Sequence, residues 1–384
     1  MAKKTFSDDV AFLNEYADVI ILSDSSSDSR IAISPKLQGR VMTSTAGGVD
    51  EQSYGWVNRD LIASGRLSGH INVYGGEDRF WIGPEGGQFA VFFRNGAPFD
   101  IEHWFTPAAI DAESFELVSH SANHAVFRKD IELENYSKTV FNLRVNREIS
   151  ILEKEQAANE LGIKFPETLQ MVAFESVNTI TNTGTRAWEK ESGLLSIWIL
   201  GMFNPSNSTT IVIPINSGSE SELGSVMNDT YFGKVPAERL VTKDGVLFYK
   251  GDGNYRSKIG ISAQRAQPIF GSYDAANQTL TIIQYNKPAE AAEYVNSMWE
   301  IQKEPYKGDV INSYNDGPVK QGASSLGSFY ELETSSPAAA LKSNETITHI
   351  HRTIHLQGPK ADLDTVAKAK FGVAIAEIVS VFTK

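Results

Sequence analysis

Two glutamates separated by a single residue, Glu331 and Glu333, could supply acid–base chemistry. On a β-strand alternate side chains share a face, so the two carboxyl groups would point the same way. If that face is enclosed, repulsion between the two negative charges raises the pKa of one carboxyl group, which can then act as a general acid or base. The alternative is an exposed strand face that carries two solvated carboxylates.

A glycine-rich stretch, residues 75–89, combines residue types that suit a polyhydroxylated ligand. Its glycines and Pro84 predict a shaped loop that enters a strand over residues 88–93. Carboxylate and guanidinium groups hydrogen-bond hydroxyls, and tryptophan can cover the C–H face of a sugar ring. The alternative is a structural turn whose charges pair with one another and whose tryptophan fills the core. The candidate ligand-binding residues of this loop are Glu77, Asp78, Arg79, Trp81 and Glu85.

Other single residues are candidates for the same cleft. Arg40 and Asn178 could contact a ligand, and Trp198 could line the cleft or simply belong to the core. His70 and His103 flank the glycine-rich stretch, and either could donate a proton or be an ordinary loop histidine.

Three histidines, His349, His351 and His355, would share one face of a late strand, while alternate apolar residues of that strand face the core. This spacing is compatible with metal ligation. Because no carboxylate stands between them, solvated or hydrogen-bonded imidazoles are the favoured interpretation, and we predict neither a metal nor a cofactor.

Composition limits the class of protein. With 384 residues, 41% hydrophobic and 21% charged, the chain can bury a core, and its net charge of −12 argues against nucleic acid and anionic membranes as partners. The absence of cysteine excludes thiolate chemistry. No apolar run reaches bilayer-spanning length, so we expect no membrane insertion. The N-terminus lacks the apolar segment of a secretory signal, which predicts a cytoplasmic protein by default, or a periplasmic or secreted one if a signal was removed.

Short apolar segments separated by Gly, Asn, Asp and Ser turns run through most of the sequence and predict strands. We therefore expect one all-β domain over residues 1–384, built of mostly antiparallel strands in two stacked sheets. Helical patterns are sparse. Helices are predicted over residues 7–16 with Ser7 as N-cap, 153–161, 289–301, and 361–382 with a break at Gly372.

The C-terminal residues resemble a known family. Leu332-Glu333-Thr334, followed by residues 341–345 and a strand with His349, is similar to the C-terminal signature of aldose 1-epimerases, also called galactose mutarotases. The loop over residues 75–85 resembles the Gly-Gly, Trp and Pro-Glu loop of mutarotase-like proteins of uncharacterised function. With residues 38–44 and 198–203, the chain most resembles a bacterial domain-of-unknown-function branch of that superfamily.

The resemblance implies a galactose mutarotase-like β-supersandwich of mostly antiparallel strands with a few short helices, whose concave sheet binds a carbohydrate. In mutarotases a glutamate takes the proton of the anomeric hydroxyl and a histidine protonates the ring oxygen. Glu333 matches the glutamate, whereas residues 178–182, where the histidine is expected, contain none. His70, His103 or a carboxylate of the glycine-rich stretch would have to replace it.

Two interpretations remain open. The chain is a carbohydrate-active enzyme, an aldose epimerase-like isomerase or a glycoside hydrolase or lyase-like relative, with Glu333 as base. Alternatively, it is a non-catalytic carbohydrate-binding protein on the same scaffold, which the missing histidine favours.

Overall fold

The computed structural model describes residues 4–290, 293–318 and 325–383, and most of its regular structure is antiparallel β-strand. In chain order, the strands β1 to β18 are Ile20–Ser23, Arg30–Ser34, Arg40–Thr45, Arg79–Gly83, Glu116–His120, His124–Glu134, Val140–Leu152, Gln170–Asn182, Ser196–Phe203, Thr209–Pro214, Leu240–Lys243, Val246–Lys250, Ser257–Ser262, Ile269–Asp274, Thr279–Tyr285, Asp309–Asn315, Tyr330–Ser335 and Thr346–Gln357. The helices α1 to α7 are Phe6–Tyr16, Arg59–Ser64, Ala108–Asp111, Lys154–Leu161, Glu220–Leu223, Lys360–Phe371 and Ile375–Ser380.

Within the described residues, these strands form one large sheet, one small sheet and an N-terminal sheet of β1, β2 and β3. The large sheet has the order β11-β12-β10-β14-β15-β18-β8-β7-β6-β5, and the small sheet has the order β13-β16-β17-β9-β4. The longest antiparallel pairing among the described residues joins β18 to β8, two strands distant in sequence, from Thr346 opposite Thr181 to Gln357 opposite Gln170. Such long antiparallel ladders leave few buried backbone groups without partners.

The large and small sheets pack face to face. Alternation along β4 directs Phe80 and Ile82 into a core that also contains Phe127 and Phe174 of the large sheet. The same alternation directs Arg79 to the opposite face of the small sheet. The small sheet therefore has one face in the sandwich and one face free to carry a site.

The other face of the large sheet is covered by helices. Leu161 of α4, Leu363 of α6 and Ile378 of α7 cluster with Ile282 and Ile354 of β15 and β18. None of the helices that the structure describes is long and apolar enough to cross a membrane. The helices thus close a second core on the side of the molecule away from the small sheet.

A buried polar layer joins the two sheets of the sandwich. Arg147 Nη2 donates to Asp78 Oδ1 at 2.6 Å, and Ser176 Oγ donates to Asp78 Oδ2 at 2.7 Å. Arg147 Nη1 donates to Asn178 Oδ1 at 2.8 Å. Both charged side chains are completely buried, so removal of either one would leave a buried charge without its partner.

Most of the predicted helices are confirmed. Helix α1 begins one residue earlier than predicted, because Thr5, and not Ser7, is its N-cap and forms a capping box with Asp8. The C-terminal prediction is confirmed as two helices, since Gly372 adopts a left-handed conformation with φ of 71° and ends α6.

Two predicted elements are wrong. Residues 88–93 form no strand, because Ala90 N bonds to Gly87 O and Val91 N bonds to Pro84 O, so the backbone closes locally. The strand of this region is instead β4, inside the predicted loop. Residues 293–301 are not helical, since Tyr294 exchanges backbone hydrogen bonds with Tyr306 and Gly308. Residues 291 and 292 of that prediction lie outside the described residues.

The buried layer predicts a stability effect. Asp78→Ala would leave the Arg147 guanidinium without its carboxylate inside the sandwich, and we expect a loss of about 3–5 kcal/mol in the free energy of unfolding. Urea denaturation followed by circular dichroism measures this loss. Asp130→Ala, which removes the exposed pair of Asp130 with Arg144, should change the midpoint little. Equal midpoints for the two variants would contradict the structural role of Asp78.

Candidate functional site

A cavity with a volume of about 410 Å³ lies against the face of the small sheet that points away from the sandwich. Its floor is formed by side chains from the strands of this sheet, among them Arg79 of β4, Trp198 of β9, Lys258 of β13 and Glu331 of β17. Its walls come from loops. A cavity of this size falls in the range that small-molecule ligands occupy.

Strand β17 places side chains on both faces of the small sheet. Tyr330 Oη is 2.9 Å from Ser272 Oγ of the large sheet, and Thr334 Oγ1 is 2.8 Å from His349 Nε2. Glu331 and Glu333 therefore share the opposite face, as the alternation predicts.

Glu333 lies beneath the cavity floor. Its side chain is completely buried, and its Oε2 accepts hydrogen bonds from Trp198 Nε1 at 2.9 Å and from Lys258 Nζ at 3.1 Å. Burial by itself lowers the pKa of Lys258, but Glu333, then Glu85 and Glu331, stabilise its positive charge, and the net effect is a raised pKa. Lys258 is thus a permanent cation between the carboxyl groups of the site.

Glu331 lines the cavity itself. Burial, and then the neighbouring Glu333, raises the pKa of Glu331 well above its ordinary value, while Lys258 and Arg79 oppose the shift. This shift favours the protonated form of Glu331, which is the form that can donate a proton.

Arg79 and Trp81 of β4 have buried, unpaired hydrogen-bond donors beside the cavity floor. Arg79 Nη2 donates to Asp111 Oδ1 at 2.6 Å, and the guanidinium lies 4.0 Å from the centre of the Trp81 ring. Burial lowers the pKa of Arg79 to about 10, with Asp111 opposing, so the group stays charged. Within the described residues, the buried Arg79 Nε, Arg79 Nη1 and Trp81 Nε1 have no hydrogen-bond partner. Such buried donors are costly unless a ligand or water satisfies them.

Glu85 provides a second titrating carboxyl group on the cavity wall. Burial raises its pKa to about 7, with Lys258 opposing and Glu333 adding to the shift. Glu85 can thus exchange a proton near neutral pH, which is the property of a general acid or base.

Tryptophan rings form much of the cavity. Trp81 contacts Trp198 edge to face with ring centres 5.1 Å apart, and Trp104 stacks on Trp299 with ring centres 5.8 Å apart. All four rings line the cavity. Flat aromatic surfaces can cover the C–H faces of a sugar ring, and the neighbouring polar groups can bond to its hydroxyls.

The two candidate histidines are placed differently. His70 lines the cavity, with Nδ1 2.7 Å from Trp104 O and its ring stacked on Phe105. His103 is not among the cavity-lining residues, and its Nδ1 lies 2.6 Å from Asp100 Oδ1 at the surface.

Four other candidate residues lie away from the cavity, buried in the interior. Asp78 and Asn178 belong to the polar layer described above. Arg40 donates to Gly75 O at 2.8 Å and to Gln38 Oε1 at 2.6 Å. Glu77 Oε2 is 2.8 Å from His355 Nε2. All four side chains bond to other protein groups, and none of them lines the cavity.

The histidines of β18 point into the sandwich. His349 Nε2 and His351 Nδ1 lie 2.8 and 2.9 Å from Thr334 Oγ1. Burial lowers the pKa of His349 to about 3 and that of His351 to about 4, so both rings are neutral. In the part of the chain that the structure describes, no group of three or more His, Cys, Asp or Glu side chains could hold a metal ion.

Lys258, Trp104 and Trp299 were not predicted from the sequence as cavity residues. Lys258 could have been found from β13, where it precedes Ile259 and Ile261, which are buried on the opposite face. Trp104 and Trp299 lie in irregular loops, and their sequence neighbourhoods carry no signal for a common site.

The chain matches a family model described as "Family of unknown function (DUF6786)" over residues 4–382. No curated protein sequence matches it. Among solved structures, the Slr1438 protein from Synechocystis sp. PCC 6803 has a TM-score of 0.55 at 13% identity and covers 89% of this chain and 96% of its own. A provisionally assigned aldose 1-epimerase from Escherichia coli K12 has a TM-score of 0.53 at 12% identity, covering 88% and 98%.

A galactose mutarotase-like protein from Lactobacillus casei ATCC 334 has a TM-score of 0.51 at 11% identity and covers 88% of this chain and all of its own. These likenesses concern the fold alone, because the identities are low. The expected galactose mutarotase-like β-sandwich is thereby confirmed.

The raised pKa of Glu85 predicts a pH dependence of stability. The unfolded carboxyl group ionises near pH 4.5 and the folded one near pH 7. Between these values the folded protein binds more protons than the unfolded chain, so wild-type stability falls as pH rises through this window. The Glu85→Gln variant cannot ionise at this position and should lack that part of the fall.

Urea midpoints of both proteins at pH 5, 6, 7 and 8 test this expectation. The urea midpoint of the variant should rise relative to that of the wild type up to about pH 7. Above that value the difference between the two midpoints should stay constant. Glu132→Gln, on an exposed position of β6, controls for the loss of one carboxylate. Wild-type and Glu85→Gln curves that are parallel throughout would contradict the assignment.

Proposed function

This chain belongs to DUF6786, a family of unknown function, and we propose that it binds a carbohydrate in the cavity above the small sheet. The observation that carries the proposal is the meeting of a carboxyl group with a raised pKa, unpaired N–H donors and tryptophan rings in one cavity. A polyhydroxylated ring with apolar C–H faces satisfies all three kinds of group at once.

The contacts follow from the chemistry of each side chain. Arg79 and Trp81 have buried donors without protein partners, and sugar hydroxyl or ring oxygens would accept from them. Glu331 and Glu85 can each donate or accept according to protonation. Trp198 and Trp299 would cover the ring faces. A ligand that supplies the missing acceptors recovers the desolvation cost of these donors.

The same groups could interconvert the anomers of a free sugar. Ionised Glu85 takes the proton of the anomeric hydroxyl, and the bond between C1 and the ring oxygen breaks as Glu331 gives its proton to that oxygen. The open-chain aldehyde rotates about C1–C2, and the reverse transfers close the ring and restore both carboxyl groups. Glu333, which is buried below the floor, acts only indirectly, because its negative charge disfavours ionisation of Glu331. The reaction class follows the fold, which is that of a galactose mutarotase-like protein.

A non-catalytic sugar-binding protein is the second candidate. It is favoured by the complete burial of Glu333, which matches the mutarotase glutamate but is engaged by Trp198 and Lys258. It is also favoured by the absence of a histidine from residues 178–182.

Glu331→Gln separates the two candidates. If Glu331 is the acid, the variant should lose about 10²-fold or more of the catalysed rate, because glutamine cannot donate a proton to the ring oxygen. Its affinity should stay within a few-fold of wild type, because the shape and the hydrogen-bonding capacity are kept. Polarimetry and NMR of freshly dissolved α-D-glucose and α-D-galactose measure the rate, and tryptophan fluorescence measures binding.

His103→Gln is the matched control, since His103 is not among the cavity-lining residues, and it should keep the wild-type rate. Glu333→Gln is a weaker test, because it leaves buried Lys258 without its ion pair. Wild-type protein that binds sugar without faster anomer exchange would favour the second candidate. An unchanged rate in Glu331→Gln would remove Glu331 from the mechanism.

A further inference from the structure

The mouth of the cavity carries exposed apolar side chains. Ile101, Phe232 and Leu326 line the cavity and are nevertheless 54%, 42% and 48% exposed. They come from three separate connections, which precede α3, β11 and β17. Single exposed apolar side chains are ordinary, but three that converge on one opening mark a binding surface.

Polarity changes with depth in the cavity. The charged groups Arg79, Lys258 and Glu331 lie on the strands of the floor, and each is buried. Trp81 and Trp198 lie beside them, and both are also buried. The charged floor thus lies below an opening that carries the three exposed apolar side chains together with polar Ser68, Ser325 and Arg256.

Phe232 is held in place at this opening. The Arg256 guanidinium lies 4.2 Å from the centre of the Phe232 ring, and the Tyr314 ring meets it edge to face at 5.9 Å. Arg256 thus covers one side of the ring with a cation–π contact. A fixed ring can receive a ligand without first losing much side-chain entropy.

The exposed area suits a small group better than a protein. Three half-exposed side chains offer roughly 300 Å², well below the ~800 Å² per partner that a stable protein interface buries. An alkyl or aryl substituent of a ligand seated on the floor would cover an area of this size.

We propose that the ligand is a glycoside with an apolar aglycone, whose sugar lies on the polar floor and whose alkyl or aryl group packs against Ile101, Phe232 and Leu326. This inference rests on the proposed sugar-binding site and names its ligand class. It accords with the non-catalytic candidate, because a glycoside has no anomeric hydroxyl from which Glu85 could take a proton. A free monosaccharide would leave the apolar mouth exposed, whereas the aglycone removes that surface from water.

Matched pairs of ligands test the proposal. Isothermal titration compares methyl and hexyl β-D-glucopyranosides, β-D-galactopyranosides and α-D-mannopyranosides, with hexan-1-ol as the alkyl chain without a sugar. For a sugar that binds, the hexyl glycoside should bind at least about tenfold more tightly than the methyl glycoside. Hexan-1-ol should bind far more weakly than either.

A variant of the mouth supplies the second arm. In the double variant Ile101→Ser, Phe232→Ser the hexyl gain, which is the affinity for the hexyl glycoside divided by that for the methyl glycoside, should fall to about twofold or less, because the apolar surface is gone. The affinity for the methyl glycoside should stay unchanged. Val118→Ser, at an exposed position of edge strand β5, is the control and should keep the gain.

The outcomes are distinguishable. Equal affinities for methyl and hexyl glycosides would overturn this inference and leave the proposed sugar site standing. No binding of any glycoside in the panel would count against both. Hexan-1-ol binding as tightly as the hexyl glycosides would overturn the glycoside assignment. Self-association of the wild type that the double variant abolishes would assign the mouth to a second copy of the chain and overturn it as well.

Discussion

The ion pair of Lys258 with Glu333 sets the chemistry of the cavity. Glu333 is completely buried in the small sheet, where an isolated carboxylate would be strongly disfavoured. Lys258 and the Trp198 indole stabilise its negative charge. Burial, and then the negative charge of Glu333, raises the pKa of Glu331, while Lys258 opposes the shift. Enclosure in the small sheet and the neighbouring buried glutamate thus favour the protonated form of Glu331.

The local part of this arrangement could be predicted from the sequence. Alternation along β17 puts Glu331 and Glu333 on one face, and repulsion between them predicts one raised pKa. The sequence does not say which of the two reaches the cavity, because that depends on Lys258 and Trp198 from other strands. For the same reason, Glu333 was predicted as the base although it lies beneath the floor. The single domain over residues 1–384 stays a prediction.

The remaining differences have long-range causes. Glu77 and Asp78 belong to the same glycine-rich stretch as Arg79, yet their side chains lie in the interior of the molecule. There Glu77 pairs with His355, and Asp78 pairs with Arg147. Tyr294 lies in a segment with helical spacing but pairs with residues 306 and 308 through its backbone. In each case the deciding partner is distant in sequence, so neither spacing nor propensity can identify it.

A crystal structure of the protein soaked with a panel of hexoses and hexyl glycosides tests the central claim most directly. The account predicts a sugar ring on the floor of the cavity, with oxygens within hydrogen-bonding distance of Glu331 and of the unpaired Arg79 nitrogens, and with a ring face against Trp198 or Trp299. A sugar bound elsewhere on the molecule while the cavity stays free of it would contradict the account.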